Sequence, residues 1–175
     1  MASNPKVKKK RGLKYWIKEV LMYSAIFVVM SVAVDLWRMK DVSLDVIPSL
    51  EGITLSGEHI DVIEMSKEKP VVVYFWATWC SVCKFVSPTV NSVGDSYHVI
   101  AVSGASGEDN RVARYLDAHD YQFDNMNDQR SDIFRQWGVS VTPTIAIVNN
   151  GEVKSITTGI TTPPGLYARL WLANW

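Results

Sequence analysis

Cys80 and Cys83 are the only cysteines among 175 residues, and two residues separate them. A lone dithiol at that spacing is the layout that thiol–disulfide exchange requires: one sulfur attacks, the other closes the ring. The apolar, β-branched and aromatic run Val71-Val72-Val73-Tyr74-Phe75-Trp76 before it predicts a strand covered on both faces. The stretch after it, to about Gly94, predicts a helix with Pro88 inside as a kink point. Cys80 therefore falls at a helix start. Unpaired backbone N–H groups and the helix dipole both favour a thiolate there, lowering a cysteine pKa from about 8.5 into the range of roughly 3.5–7.5. Cys83 lies one turn along on the same side and can reach Cys80.

Other uses of the pair fit less well. A closed zinc site needs four ligands, and His59, His98 and His119 are too scattered to supply a second pair. A structural crosslink across so short a loop would remove little chain entropy. Cu(I) on two thiolates is a reading of another class, since soft sulfur suits that ion, but there is no Met-rich flank to complete the site. A scaffold that kept the fold and lost the chemistry is a third, against which both cysteines stand intact. Lys84 could favour a thiolate electrostatically; an ordinary solvated lysine is its plainer description.

The elements that must hold the dithiol follow from pattern. Gly52–Gly57 and His59–Val62 predict a short hairpin turning at Ser56-Gly57-Glu58, and Lys67–Pro70 a charged loop. Val99–Val102 predicts a second buried strand ending at Ser103-Gly104. Asp109–Asp117 predicts an amphipathic helix with Val112, Tyr115 and Leu116 on one face. Asp128–Trp137 predicts a further short helix closed by Gly138. Thr144–Val148 and Glu152–Thr157 flank an Asn149-Asn150-Gly151 hairpin turn. Pro163-Pro164 opens a last helix, with Leu166, Leu170 and Trp171 as its expected buried side. This order predicts an α/β fold: a central mixed sheet flanked by helices, its dithiol at the C-terminal end of a central strand.

The apolar fraction, 47%, supplies a core for one domain of about 130–140 residues with some chain to spare. Formal charge sums to zero but is unevenly spread. Residues 1–18 hold seven basic side chains and no acidic one, leaving 11 basic and 18 acidic groups in the remainder. The uncharged run Val20–Val34 follows at once, with Tyr15 and Trp16 before it and Trp37 after it. A helix over 15–37 would extend about 34 Å, enough for a hydrocarbon core of roughly 30 Å, with aromatics at both interfaces. The expected organisation is a basic cytoplasmic N-terminus (1–14), a single transmembrane anchor (15–37), a tether (38–48) and a catalytic domain (49–175). By the positive-inside rule the last lies outside the cytoplasmic membrane. The run also suits a signal peptide, with Ser31-Val32-Ala33 as a small-x-small site; the aromatic flanks favour an uncleaved anchor. A nucleic-acid-binding arm fits poorly, because an apolar span and an acidic remainder follow it.

Phe75-Trp76-Ala77-Thr78-Trp79-Cys80-Ser81-Val82-Cys83-Lys84 resembles the active-site segment of the thioredoxin superfamily. Val141-Thr142-Pro143-Thr144 resembles its second signature, the cis-proline loop. The membrane anchor and the intervening segment are similar to the TlpA-like branch. Ser87–Asn91, Arg111–Tyr115, Trp137–Thr144 and the Thr158–Trp171 tail are most similar to protein disulfide oxidoreductases of the suppressor-for-copper-sensitivity D type. The resemblance covers roughly residues 45–175. It implies a thioredoxin-like fold with Cys80 as nucleophile and Cys83 as resolving cysteine. It also implies Trp79 beside the sulfur on the substrate surface, a cis Pro143, and Thr142 offering backbone hydrogen bonds to a docked peptide. No cofactor is implied beyond the Cys80–Cys83 redox-active disulfide, and no metal. The implied partners are disulfide-bearing exported proteins, with a DsbD-like membrane thiol reductase as electron donor. A reductase dedicated to cytochrome c maturation is the near alternative. The chain departs from the pattern in two places. Tyr74 stands where thioredoxins often carry a buried acid, and Ser81 where several TlpA-like reductases have Glu. The proton acceptor for Cys83 is thereby left unassigned.

Overall fold

The computed structural model describes residues 15–23, 26, 30 and 48–174. The chain divides into two units, residues 1–41 and 42–175. In the first, the described residues are helical. Among the described residues no helix is long and apolar enough to cross a membrane. About half of the expected anchor over 15–37 lies outside them, as do the whole basic N-terminus (1–14) and all of the tether but its last residue.

The second unit opens with a small antiparallel pair, β1 (Glu51–Ile53) and β2 (His59–Asp61). Helix α1 (Val62–Glu68) follows directly, where the sequence reading placed the end of a strand and the start of a loop. Its physical cause is Asp61, whose carboxylate accepts the Ile63 and Glu64 N–H groups at 2.9 and 3.1 Å and so satisfies two orphan donors of the first turn.

Next come β3 (Val71–Trp76), α2 (Cys83–Val93), β4 (His98–Gly104), α3 (Asp109–Ala118), β5 (Asp124–Asp128) and α4 (Asp132–Gln136). The chain ends with β6 (Thr144–Asn149), β7 (Glu152–Thr158) and α5 (Pro163–Ala173). The main sheet has the order β5-β4-β3-β6-β7. Strand β3 is central, parallel to β4 and antiparallel to β6. The β6–β7 turn places Asn150 at φ 52° and Gly151 at φ 72°, the left-handed pair that a tight hairpin requires.

Three expectations are corrected. The segment expected as one helix from Asp128 is divided: Asp128 ends β5, and α4 begins only at Asp132. Asp128 is the reason, because its two oxygens accept the Asp132 and Phe134 N–H groups at 2.7 and 3.0 Å. Strand β5 itself was not expected. Its sequence, Asp-Asn-Met-Asn-Asp, has poor strand propensity, and what holds it is its parallel register with β4. In α5, Leu166 and Leu170 are buried as expected, but Trp171 is 61% exposed and Ala173 takes the buried position.

The sheet separates two apolar layers. Val72, Tyr74 and Trp76 enter one, together with Cys80, Cys83, Val86 and Val90. Val71, Val73 and Phe75 enter the other, with Met126, Phe134 and Trp137. All six residues of β3 are fully covered, which is why the run shows no polar alternation.

Candidate active site

The site is built from loops at one end of the sheet. The register pairs Phe75 with Thr144, so the segment leaving β3 and the segment entering β6 emerge side by side. The first carries Trp79, Cys80 and Cys83; the second carries Thr142 and Pro143. The Thr142–Pro143 bond is cis. Thr144 is paired in turn with Thr158, and the Gly159 N–H donates to the Pro143 carbonyl at 2.9 Å, tying the end of β7 to the same place.

Cys80 and Cys83 are joined as a disulfide with Cα atoms 5.3 Å apart. Cys80 lies three residues before Cys83, the first residue of α2, rather than within its first turn. The helix has no side-chain oxygen at its N-cap, Val82. Instead the Cys83 N–H donates to Cys80 Sγ at 3.1 Å. A sulfur that receives a backbone N–H at a helix N-terminus is set up to carry negative charge once reduced. In this oxidised state both cysteines are buried, Cys80 at 6% exposure and Cys83 at 1%.

A third loop, which the sequence reading did not assign, buttresses the dithiol. The Thr78 N–H donates to Ser106 Oγ at 3.0 Å, and Trp79 Nε1 donates to the Ala105 carbonyl at 3.1 Å. Ala105 adopts φ 43° and Gly107 φ 95°, so the chain turns back sharply after β4. Asn127 holds the turn, its amide donating to the Gly107 carbonyl at 2.9 Å and to Asp109 at 2.8 Å. The signal in the sequence was the run of small residues Ser103–Gly107 following a strand parallel to β3.

Trp79 is thus fixed by its indole N–H while 63% of the residue stays exposed. Val82, Phe85, Val141 and Ile160 are also exposed, each on or beside one of these loops. Thr142 is half-buried and Pro143 buried. Lys84 is exposed. Under the dithiol, Tyr74 is fully buried, its hydroxyl 2.9 Å from Ser87 Oγ. Burial pushes its phenol well above the ordinary value of 10.0, against a smaller opposing effect of the Ser87 hydrogen bond.

Comparison with known proteins gives a consistent picture. The thioredoxin family profile matches residues 53–170. A thioredoxin-like protein of Haemophilus influenzae is 33% identical over 168 residues, covering 93% of this chain and 98% of its own length. The thiol–disulfide oxidoreductase ResA of Oceanobacillus iheyensis is 27% identical over 173 residues, covering 90% and 87%. The crystal structure of StoA from Bacillus subtilis shares the fold with a TM-score of 0.61 at 23% identity, over 71% of this chain and 97% of that one.

Proposed function

The chain belongs to the thioredoxin family, and from that premise we propose a thiol–disulfide oxidoreductase tethered to the bacterial inner membrane, with residues 15–37 as its anchor and its catalytic domain in the periplasm. The observation that carries the chemistry is the Cys80–Cys83 pair at the end of β3, with a backbone N–H aimed at Cys80 Sγ. In the reduced protein, Cys80 thiolate attacks a disulfide of an exported partner. One partner sulfur leaves as a thiolate and a mixed disulfide forms. Cys83 thiolate then attacks Cys80 Sγ, expelling the second partner sulfur and leaving Cys80–Cys83 oxidised. Two electrons have passed to the partner. A DsbD-like membrane thiol reductase returns them.

Trp79, fixed but exposed, offers an apolar surface beside the sulfur, and Thr142 and Pro143, on the neighbouring loop that enters β6, present backbone to an extended partner segment. The basic cluster in residues 1–18 and the uncharged run behind it support the anchored, outward-facing arrangement. The test is a Cys83→Ser variant expressed with its own N-terminus. Mixed disulfides through Cys80 should accumulate on exported proteins in the membrane fraction. Their absence, in cells where the wild-type dithiol cycles between oxidised and reduced forms, would overturn the assignment. The reduction potential of the couple decides direction: a value near about −270 mV fits a reductant, one near about −120 mV an oxidant.

A further inference from the structure

Trp79 directly precedes Cys80 and is mostly exposed, yet its indole N–H is taken by the Ala105 carbonyl rather than left to water. That carbonyl is aimed by the turn that follows β4. Ala105 stands at φ 43°, a left-handed conformation that a Cβ disfavours, so its surroundings must hold it there. The Ala105 N–H donates to the Asp128 carbonyl at 3.0 Å. Asn127 grips the far side of the turn: its amide donates to Gly107 and Asp109, and its Oδ1 accepts from Ser103 Oγ at 3.1 Å. Ser106, 2% exposed, closes the middle. Its hydroxyl donates to the Gly104 carbonyl and accepts the Thr78 N–H, both at 3.0 Å. One hydroxyl therefore joins the turn to the segment that carries Trp79. The Thr78 side chain adds no anchor of its own, since its Oγ1 is buried without a hydrogen-bond partner among the described residues. The Cys80 N–H is engaged within the segment, on the Ala77 carbonyl at 3.1 Å. Residues 77–80 are thus tied to the neighbouring loop twice, by the Thr78 backbone and by the Trp79 indole.

We propose that Ser106 is a positioning residue for partner recognition: it locks the turn whose Ala105 carbonyl holds the Trp79 ring, and so presets the wall against which a disulfide-bearing partner docks. The proposal rests on the dithiol reading above. Without the hydroxyl, the Thr78 N–H and the Gly104 carbonyl lose their shared partner, the turn loosens, and the Trp79 ring moves among several orientations. A docking partner must then reorder that ring, a cost carried equally by the bound complex and by the transition state. The sulfur keeps its own setting, because the N–H on Cys80 Sγ comes from Cys83 in α2 and not from this turn. Ser106 therefore governs affinity for bulky partners and leaves attack on small reagents untouched.

The experiment compares two reactions of the full chain. Insulin reduction, with dithiothreitol as reductant, reads docking; iodoacetamide alkylation of Cys80 in the reduced protein reads the sulfur. Ser106→Ala should raise KM for insulin about tenfold, while kcat and the alkylation rate stay within about twofold of wild type. Trp79→Phe, which keeps an aromatic ring and loses the indole donor, should raise KM to a similar extent. The double variant should be no worse than either single one, as expected where both changes remove one shared interaction. Trp79→Phe alone decides the matter if Ser106→Ala fails to fold. In a nitrogen–proton correlation spectrum, the indole resonance missing from Trp79→Phe should be protected from exchange with water in wild type and lose that protection in Ser106→Ala. An unchanged KM in either single variant, a fall in alkylation rate matching the rise in KM, additive effects in the double variant, or a Trp79 N–H as protected as in wild type would each overturn the role of Ser106. A wild-type chain that does not reduce insulin would instead overturn the dithiol reading on which it rests.

Discussion

Alternate residues of β3 belong to two different kinds of interior. Tyr74 and Trp76 each place a polar atom in the layer that holds the dithiol, and each atom is partnered. The Tyr74 hydroxyl meets Ser87, and Trp76 Nε1 donates to Asn125 Oδ1 at 2.9 Å; the Asn125 amide continues to Ser103 Oγ at 3.0 Å. Phe75 points the other way into rings, edge-on to Phe134 at 5.2 Å and tilted against Trp137 at 5.4 Å between centroids. There the Trp137 indole N–H has no hydrogen-bond partner among the described residues. One layer fixes polar groups in place, at the cost of many matched partners. The other fills space. The comparison teaches that a single strand, alternating strictly, supplies stability on one side and orientation for chemistry on the other.

The sharpest way to break this division is Phe75→Ala. It should destabilise the oxidised protein by about 3–5 kcal/mol in urea unfolding, through lost transfer energy and a cavity. The Cys80 alkylation rate of the reduced, still-folded variant should match wild type. A comparable change in that rate would show that the layers are not separate in function. Asn125→Ala comes next. It leaves Trp76 Nε1 and Ser103 Oγ without their shared partner and should cost about 1–3 kcal/mol in the same assay.

Tyr74→Phe is smaller at neutral pH, about 1 kcal/mol for one hydrogen bond. Its signature is alkaline. The folded-state pKa of Tyr74 is raised above 10.0, chiefly by burial. Above about pH 10 the unfolded chain therefore binds fewer protons than the folded one. Stability that is fully present below that pH is lost as pH rises beyond it, by up to about 1.4 kcal/mol per unit for one group. Oxidised Tyr74→Phe should show a flatter decline between about pH 9 and 11.5 than oxidised wild type, in which the cysteines do not titrate. Tyr115 and Tyr121 shift in the same direction and leave a residual slope. The smallest stability effect belongs to exposed Trp79→Ala, within about 0.5 kcal/mol. Its insulin-reduction rate should nonetheless fall several-fold. Equal losses of stability and rate would place Trp79 with the space-filling residues.

Much of this arrangement was legible in the chain. Val71–Trp76 announced a central strand because burial on both faces erases the polar period, and the Asn149-Asn150-Gly151 turn announced its hairpin through residues that tolerate positive φ. The dithiol could be placed at the C-terminal end of a central strand from the order of elements, and the Pro143 loop was singled out by its resemblance to the thioredoxin superfamily. What could not be read was held by side chains acting at a distance. β5 is a strand because of its neighbour, and α1 and α4 begin where Asp61 and Asp128 cap them. Ser106 came to the dithiol only through the pairing of β3 with β4, which no local pattern encodes. Trp171 was assigned inward by helical spacing, yet the helix turns it outward and buries Ala173 instead.

The Cys83 N–H bond to Cys80 Sγ has a meaning beyond reactivity. Elsewhere a serine or aspartate oxygen would open such a helix; here the reagent atom is also the keystone of the first turn. Each electron pair that arrives or departs alters the acceptor on which that turn leans, so the redox cycle is written into local architecture as well as into bonds to partners.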